Sequence, residues 1–97
     1  MKKISLNIYG YGQIISNEEQ GAKIYKAIND ALQATDTVEV DLTGVIAMVT
    51  LCAKQTFGQL YKNLGATDFK NKIKIVNANE DVKAVIMEGI ANALTSN

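Results

Sequence analysis

The chain has no histidine, no proline and one cysteine in 97 residues. Without histidine it lacks the usual general base, the histidine-assisted nucleophiles and most zinc sites. A single cysteine excludes an internal disulfide framework and suits a reducing compartment. Charge of one sign is also missing: ten basic residues balance ten acidic ones, so no net field draws nucleic acid or an anionic membrane. No apolar run approaches the ~20 residues of a membrane span. Nor does a long apolar region follow Met1-Lys2-Lys3-Ile4, as it would in a signal peptide. These shortages predict a cytoplasmic protein with no cofactor and no metal, engaging neither nucleic acid nor membrane. What remains is 47% apolar, without linker, repeat or low-complexity segment, and its length suits one domain over residues 1–97.

The strongest local pattern runs from Val38 to Cys52. Thr37, Val38 and Val40 are β-branched, as a pleated strand prefers. Asp41 follows at the strand's carboxyl end, and Gly44 permits a turn with positive φ. The apolar run Val45-Ile46-Ala47-Met48-Val49 then reaches Thr50, placed as the N-cap of a helix over 51–64. Phe57, Leu60, Tyr61 and Leu64 mark the buried face of that helix, and Gly65 suits its C-terminus.

Before this segment, Ile4, Leu6 and Ile8 alternate with polar residues, predicting a strand with one wet face. Gly10-Tyr11-Gly12 reads as a turn leading into a short second strand, Gln13-Ile14-Ile15. The third glycine and the lysine of phosphate-binding loops are absent. Ser16 and Glu19 have capping-box spacing and open a helix over 17–34, with Ala22, Tyr25, Ile28, Ala31 and Leu32 on its apolar stripe. After the helix over 51–64, a polar link (66–71) leads to the strand Lys72-Ile73-Lys74-Ile75-Val76. Asn79 then caps a third helix, with Val82, Val85, Ile86, Gly89, Ile90 and Ala93 at helical spacing. The tail Thr95-Ser96-Asn97 is expected to fray. The expected fold is therefore α/β: three helices on a mixed, mostly parallel sheet of about four strands, with the first strand antiparallel to its neighbour. Val40, Ile75 and Ile86 should be almost fully buried.

Asp41-Leu42-Thr43-Gly44-Val45, followed by a helix carrying Phe57-Gly58-Gln59-Leu60-Tyr61, resembles the STAS domain and its bacterial STAS-like relatives of unknown function. Ile14-Ile15-Ser16 ahead of an amphipathic helix, and Ile73-Lys74-Ile75-Val76-Asn77-Ala78-Asn79-Glu80-Asp81-Val82, are similar to two further segments of that group. The resemblance spans about residues 4–93 and implies a STAS-like fold. In STAS-type anti-sigma factor antagonists, a serine or threonine at the start of the helix after this strand is phosphorylated by a partner kinase, which disrupts binding. That position falls on Thr50, while Val49 stands where the family usually has an aspartate.

The resemblance implies a bacterial regulatory module that is not an enzyme. It would dock a protein partner, an ATPase of the histidine-kinase type or an anti-sigma factor, through Met48, Val49, Thr50, Leu51, Lys54 and Gln55, with a homodimer as a further expectation. The alternative is a small-molecule or nucleotide sensor using the same strand-end crevice. For individual residues a plainer reading stands beside each functional one. Thr50 is a phospho-acceptor or only a cap. Asp41 is a base or cation ligand, or an acceptor within the Gly44 turn. Cys52 is a reactive thiol at a helix start, or a small core residue. Glu80 and Asp81 belong to a metal loop or to a charged first helical turn.

Overall fold

The computed structural model describes residues 2–95; Ser96 and Asn97, on which part of the expected fraying falls, lie outside them. Strand β1 (Lys3–Asn7) ends in a single 3₁₀ turn, Ile8–Tyr11, and β2 (Ile14–Ile15) follows. Helix α1 (Glu18–Ala34) leads to β3 (Thr37–Asp41) and β4 (Ala47–Met48). A helical run over 50–64 begins as α2 (Thr50–Ala53), passes through a π-helical turn (Lys54–Gly58) and ends as α3 (Gln59–Leu64). Helix α4 (Ala66–Lys72), strand β5 (Ile73–Val76) and helix α5 (Glu80–Thr95) complete the chain.

The sheet is organised differently from the expectation. β1, β3 and β5 form a three-stranded sheet in that order, and β2 with β4 forms a separate pair. Every pairing is parallel, so the first strand is not antiparallel to its neighbour. The reason lies in the Gly10-Tyr11-Gly12 segment. It forms a 3₁₀ turn closed by Gly12 N–H donating to the Tyr9 carbonyl at 2.9 Å, not a hairpin. The chain leaves the sheet at that turn, and β1 takes as its neighbour β3, reached through α1. β4, inside the apolar run after Gly44, was not expected as a strand.

Strands laid down in the order 1-3-5 all advance one way. Right-handed crossovers, the rule for parallel connections, then place the helices on one face. Parallel sheets are usually covered on both faces, and here the second face is polar instead. Lys3, Ser5, Asn7, Thr37, Glu39, Asp41 and Lys74 line it, with Val76 beside Asp41 as an apolar member, and Lys3 Nζ lies 3.6 Å from Glu39 Oε1. The inner face carries Val38, Val40 and Ile73, which are buried with Ile24 and Ile28 of α1 and Phe57 and Leu60 of the 50–64 helix. Val40 and Ile86 are buried as expected. Ile75 is only half-buried, because β5 is an edge strand.

Three local expectations shift. The N-cap of α1 is Asn17 with Gln20, one residue later than Ser16 with Glu19. Its buried stripe is Gly21, Ile24, Ile28 and Ala31, with Tyr25 and Leu32 half-buried and Ala22 exposed. The polar link is helix α4, held by Phe69, whose ring packs on Tyr61 at a centroid distance of 5.1 Å. One large apolar residue in a short polar stretch leaves no period to read.

Helix α5 reaches the rest of the protein chiefly through the 50–64 helix. There the backbones come close enough that side chains are excluded. A Cβ on Gly89 would lie 2.6 Å from Ala53 Cβ and Lys54 N, and one on Gly58 would lie 2.7 Å from the Gly89 carbonyl oxygen. Alanine is favoured over glycine inside a helix by ~1 kcal/mol, but overpacking against backbone costs ~1–3 kcal/mol. Gly89→Ala should therefore lower the unfolding free energy by ~1 kcal/mol or more in urea titrations. Gly10→Ala, with nothing within 4 Å of the added carbon, should stay within ~0.5 kcal/mol of the parent.

Candidate functional site

The candidate site is the corner where β4 passes into the 50–64 helix. Leu42, Val45 and Met48 anchor the segment from below, all of them buried. Asp41 Oδ1 accepts from Thr43 N–H at 2.9 Å, from the Thr43 hydroxyl at 2.6 Å and from Asn77 Nδ2 at 3.1 Å. The Thr43 hydrogen bonds first, and then the one from Asn77, hold the Asp41 carboxyl below its ordinary range. Asp41 therefore serves as an acceptor within the turn. Gly44 adopts φ +87°, where a Cβ would lie 2.5 Å from the Tyr9 ring. The segment is also held from α5. Asn79 caps that helix by accepting from Val82 N–H at 2.7 Å, and its amide donates to the Val45 and Ile46 carbonyls at 3.4 and 3.3 Å.

β2 aligns this corner on the other side. Ile14 pairs with Ala47 and Ile15 with Met48, and Val49 N–H donates to the Ile15 carbonyl at 2.9 Å. Strand alternation sends Ile15 and Met48 inward and Ile14, Ala47 and Val49 outward. Ile46 and Leu51 are exposed beside them, Leu51 to 62%. Ile14, Ile46, Val49 and Leu51 thus make an apolar apron of exposed residues on the segments that meet at the helix start.

The six residues expected to bind a partner do not share one surface. Val49 and Leu51 are open, and Thr50 and Lys54 are half-buried. Met48 points into the core because it pairs with Ile15. Gln55 turns toward α1, where its Nε2 donates to the Glu18 carbonyl at 3.1 Å and its Oε1 is buried without a partner among the described residues. Ile14 and Ile46 were missed. Ile14 reads as one residue of a short strand, and only a non-local parallel pairing carries it to this corner.

Thr50 is not the N-cap. Val49 takes that place, without a side-chain hydrogen bond, and Thr50 is the first helical residue. Its hydroxyl lies 3.4 Å from Glu88 Oε1 of α5, a carboxylate that nothing near Thr50 in sequence announces. Cys52 is 1% exposed, with its thiol 3.3 Å from the Asn17 carbonyl. Burial, and then the Glu18 carboxylate, push its pKa up, so it is a core residue. The helix bulges just beyond it. The Thr56 hydroxyl is buried and donates to the Cys52 carbonyl at 2.7 Å, the back-bonding that bends helices.

Two outcomes follow from this geometry. A thiol reagent at neutral pH should modify Cys52 only as the protein unfolds, so native labelling should track the unfolding rate in denaturant. Added charge at residue 50, tolerable at an open helix start, here meets Glu88. Thr50→Glu should therefore lower stability by a few tenths of a kcal/mol, up to about 1 kcal/mol. Adding Glu88→Gln should recover that loss in thermal melts.

Two clefts open elsewhere. One of about 580 Å³ lies at the amino ends of the strands, beside Lys2, Leu32, Thr35, Asp36, Leu64 and Lys72. The other, of about 340 Å³, lies at the start of α1 beside Gly10, Tyr11, Asn17, Gln20 and Lys23. Among the described residues, no helix is long and apolar enough to cross a membrane.

Comparison with known proteins agrees with this architecture. No curated protein and no solved structure matches the chain. The sequence profile of one family does, over residues 20–83, the stretch from the first turn of α1 to the first turn of α5. This parallel α/β chain belongs to the family described as the STAS-like domain of unknown function (DUF4325).

Proposed function

We propose that the protein is a non-catalytic interaction module of bacterial regulation, docking a protein partner on the apron formed by Ile14, Ile46, Val49 and Leu51. The observation that carries this reading is that four large apolar side chains are exposed on the short segments that meet at this hydrogen-bonded corner. Large apolar residues clustered on a surface mark interaction sites, whereas isolated ones do not. The corner is held by β2, by the Gly44 turn and by Asn79, so it is presented without the ordering cost of a mobile loop.

Resemblance to anti-sigma factor antagonists supports an ATPase of the histidine-kinase type or an anti-sigma factor as the partner. In that setting Thr50 is the phospho-acceptor. A phosphate there would bring about two negative charges onto an apolar surface and against Glu88, which opposes docking. Val49, in the place of the family's usual aspartate, keeps the unmodified surface apolar and suits constitutive binding. The two clefts described above are lined by residues other than Ile14, Ile46, Val49 and Leu51, and small-molecule or nucleotide sensing in a strand-end crevice is the second reading.

The test uses Leu51→Glu, which adds charge at an exposed position. Binding to an ATPase of the histidine-kinase type that recognises the parent protein should weaken at least tenfold in calorimetry, with the melting temperature held within about 2 °C. Unchanged affinity for that ATPase overturns the site. Incubation with the ATPase, Mg²⁺ and ATP, followed by mass spectrometry, should place any phosphate on Thr50.

A further inference from the structure

Helix α5 is apolar on two sides. Val82, Ile86, Gly89 and Ala93 are buried against the 50–64 helix. On the far side Ala84, Met87, Ala91 and Leu94 are all exposed, Met87 to 71% and Leu94 to 54%. Their spacing is three, four and three, the a and d positions of a heptad, which keep one seam facing a partner helix. A helix hydrophobic all round is normally buried all round. This one is covered on one side only.

The charges beside the seam indicate what covers the other. With Ala84 and Ala91 at a and Met87 and Leu94 at d, Lys83 occupies g and Glu88 occupies e. In a parallel helix pair, a g residue faces the partner's e residue five positions on. Lys83 of each copy then faces Glu88 of the other, twice about a two-fold axis. In an antiparallel pair the e positions face each other instead, setting Glu88 against Glu88. The pattern is thus complementary to itself in one orientation and repulsive in the other. Glu80, one heptad before Met87, places two carboxylates at the seam's upstream end and limits it to residues 84–94. Alanine at both a positions lets the helices approach closely, while Met87 and Leu94 supply the bulk. Equal numbers of acidic and basic residues leave no net repulsion between copies.

We propose that α5 pairs with α5 of a second copy, in parallel, along Ala84, Met87, Ala91 and Leu94. A seam of ~16 Å is smaller than a standard interface of ~800 Å² per partner, so the dimer is a weak one. It dissociates in the range of about 10–500 µM, below the affinity of standard-size complexes. The surface is distinct from the apron, although Glu88 borders both through Thr50.

Sedimentation velocity of the full chain from about 10 µM to 1 mM tests this, a range that brackets the expected midpoint. The parent should pass from monomer to dimer, and Met87→Glu should remain monomeric with an unchanged melting temperature. Lys83→Glu should weaken association at least tenfold, and Lys83→Glu with Glu88→Lys should restore it. Oxidised Ala84→Cys should cross-link to its own counterpart, with Cys52 silent inside the core. A parent that stays monomeric throughout overturns the proposal. So does a dimer indifferent to Met87→Glu, or cross-linking found only between Ala84→Cys and Leu94→Cys proteins. Leu51→Glu should leave the association unchanged, so the apron and the seam fail separately.

Discussion

The position of α5 depends on a contact between backbones. Gly58 and Gly89 leave no room for a side chain between the 50–64 helix and α5, and Ala53 and Ala93 complete the crossing. Close approach of this kind gains many small dispersion contacts and tolerates little change in volume. Two consequences reach the surface. Asn79, at the start of α5, is brought within hydrogen-bonding distance of the Val45 and Ile46 carbonyls, which fixes the segment ahead of the docking corner. Glu88 is brought to Thr50, so the charge at the corner comes from a helix distant in sequence.

The other end of the 50–64 helix start is tied to α1. The Cys52 thiol meets the Asn17 carbonyl, and Gln55 donates to the Glu18 carbonyl. Gln20 adds a second tie. Its side-chain Oε1 accepts from the Ser16 and Asn17 N–H groups, and its Nε2 donates to the Tyr11 and Ile14 carbonyls at 2.9 Å. One side chain thus joins the 3₁₀ turn, β2 and the first turn of α1. Because β2 carries Ile14 to the corner, Gln20 supports the apron without belonging to it. The cost of this arrangement is local: Gln55 Oε1 is buried and unpaired among the described residues, and the helix accommodates a π-helical turn at the same place.

The bare face of the sheet and the doubly apolar α5 belong to one architectural choice. Strands added in one direction with right-handed crossovers place the helices on a single side. The uncovered face must then be polar, and Lys3, Ser5, Glu39 and Lys74 make it so. α5, stacked on the 50–64 helix, becomes an outer layer, and its exposed side keeps Met87 and Leu94. Apolar surface in this protein is therefore concentrated at the strand-to-helix corner and on the outer helix.

The sequence by itself determined what depends on near neighbours along the chain. The period of Val82, Ile86, Gly89 and Ala93 specifies α5, the alternation in β1 and β3 specifies their wet and dry faces, and Asp41 to Gly44 specifies the turn. The family likeness was legible for the same reason, since it rests on short runs in order. Only the tertiary structure decided the parallel pairing of β1 with β3, the helix formed around Phe69 and the inward turn of Met48 and Gln55. It alone brought Ile14 and Glu88 to the corner. Periodicity records which side of an element is apolar but carries no information about what lies opposite. Pairing of strands and helices far apart in the chain is settled by packing and backbone hydrogen bonding between them, which no local pattern encodes.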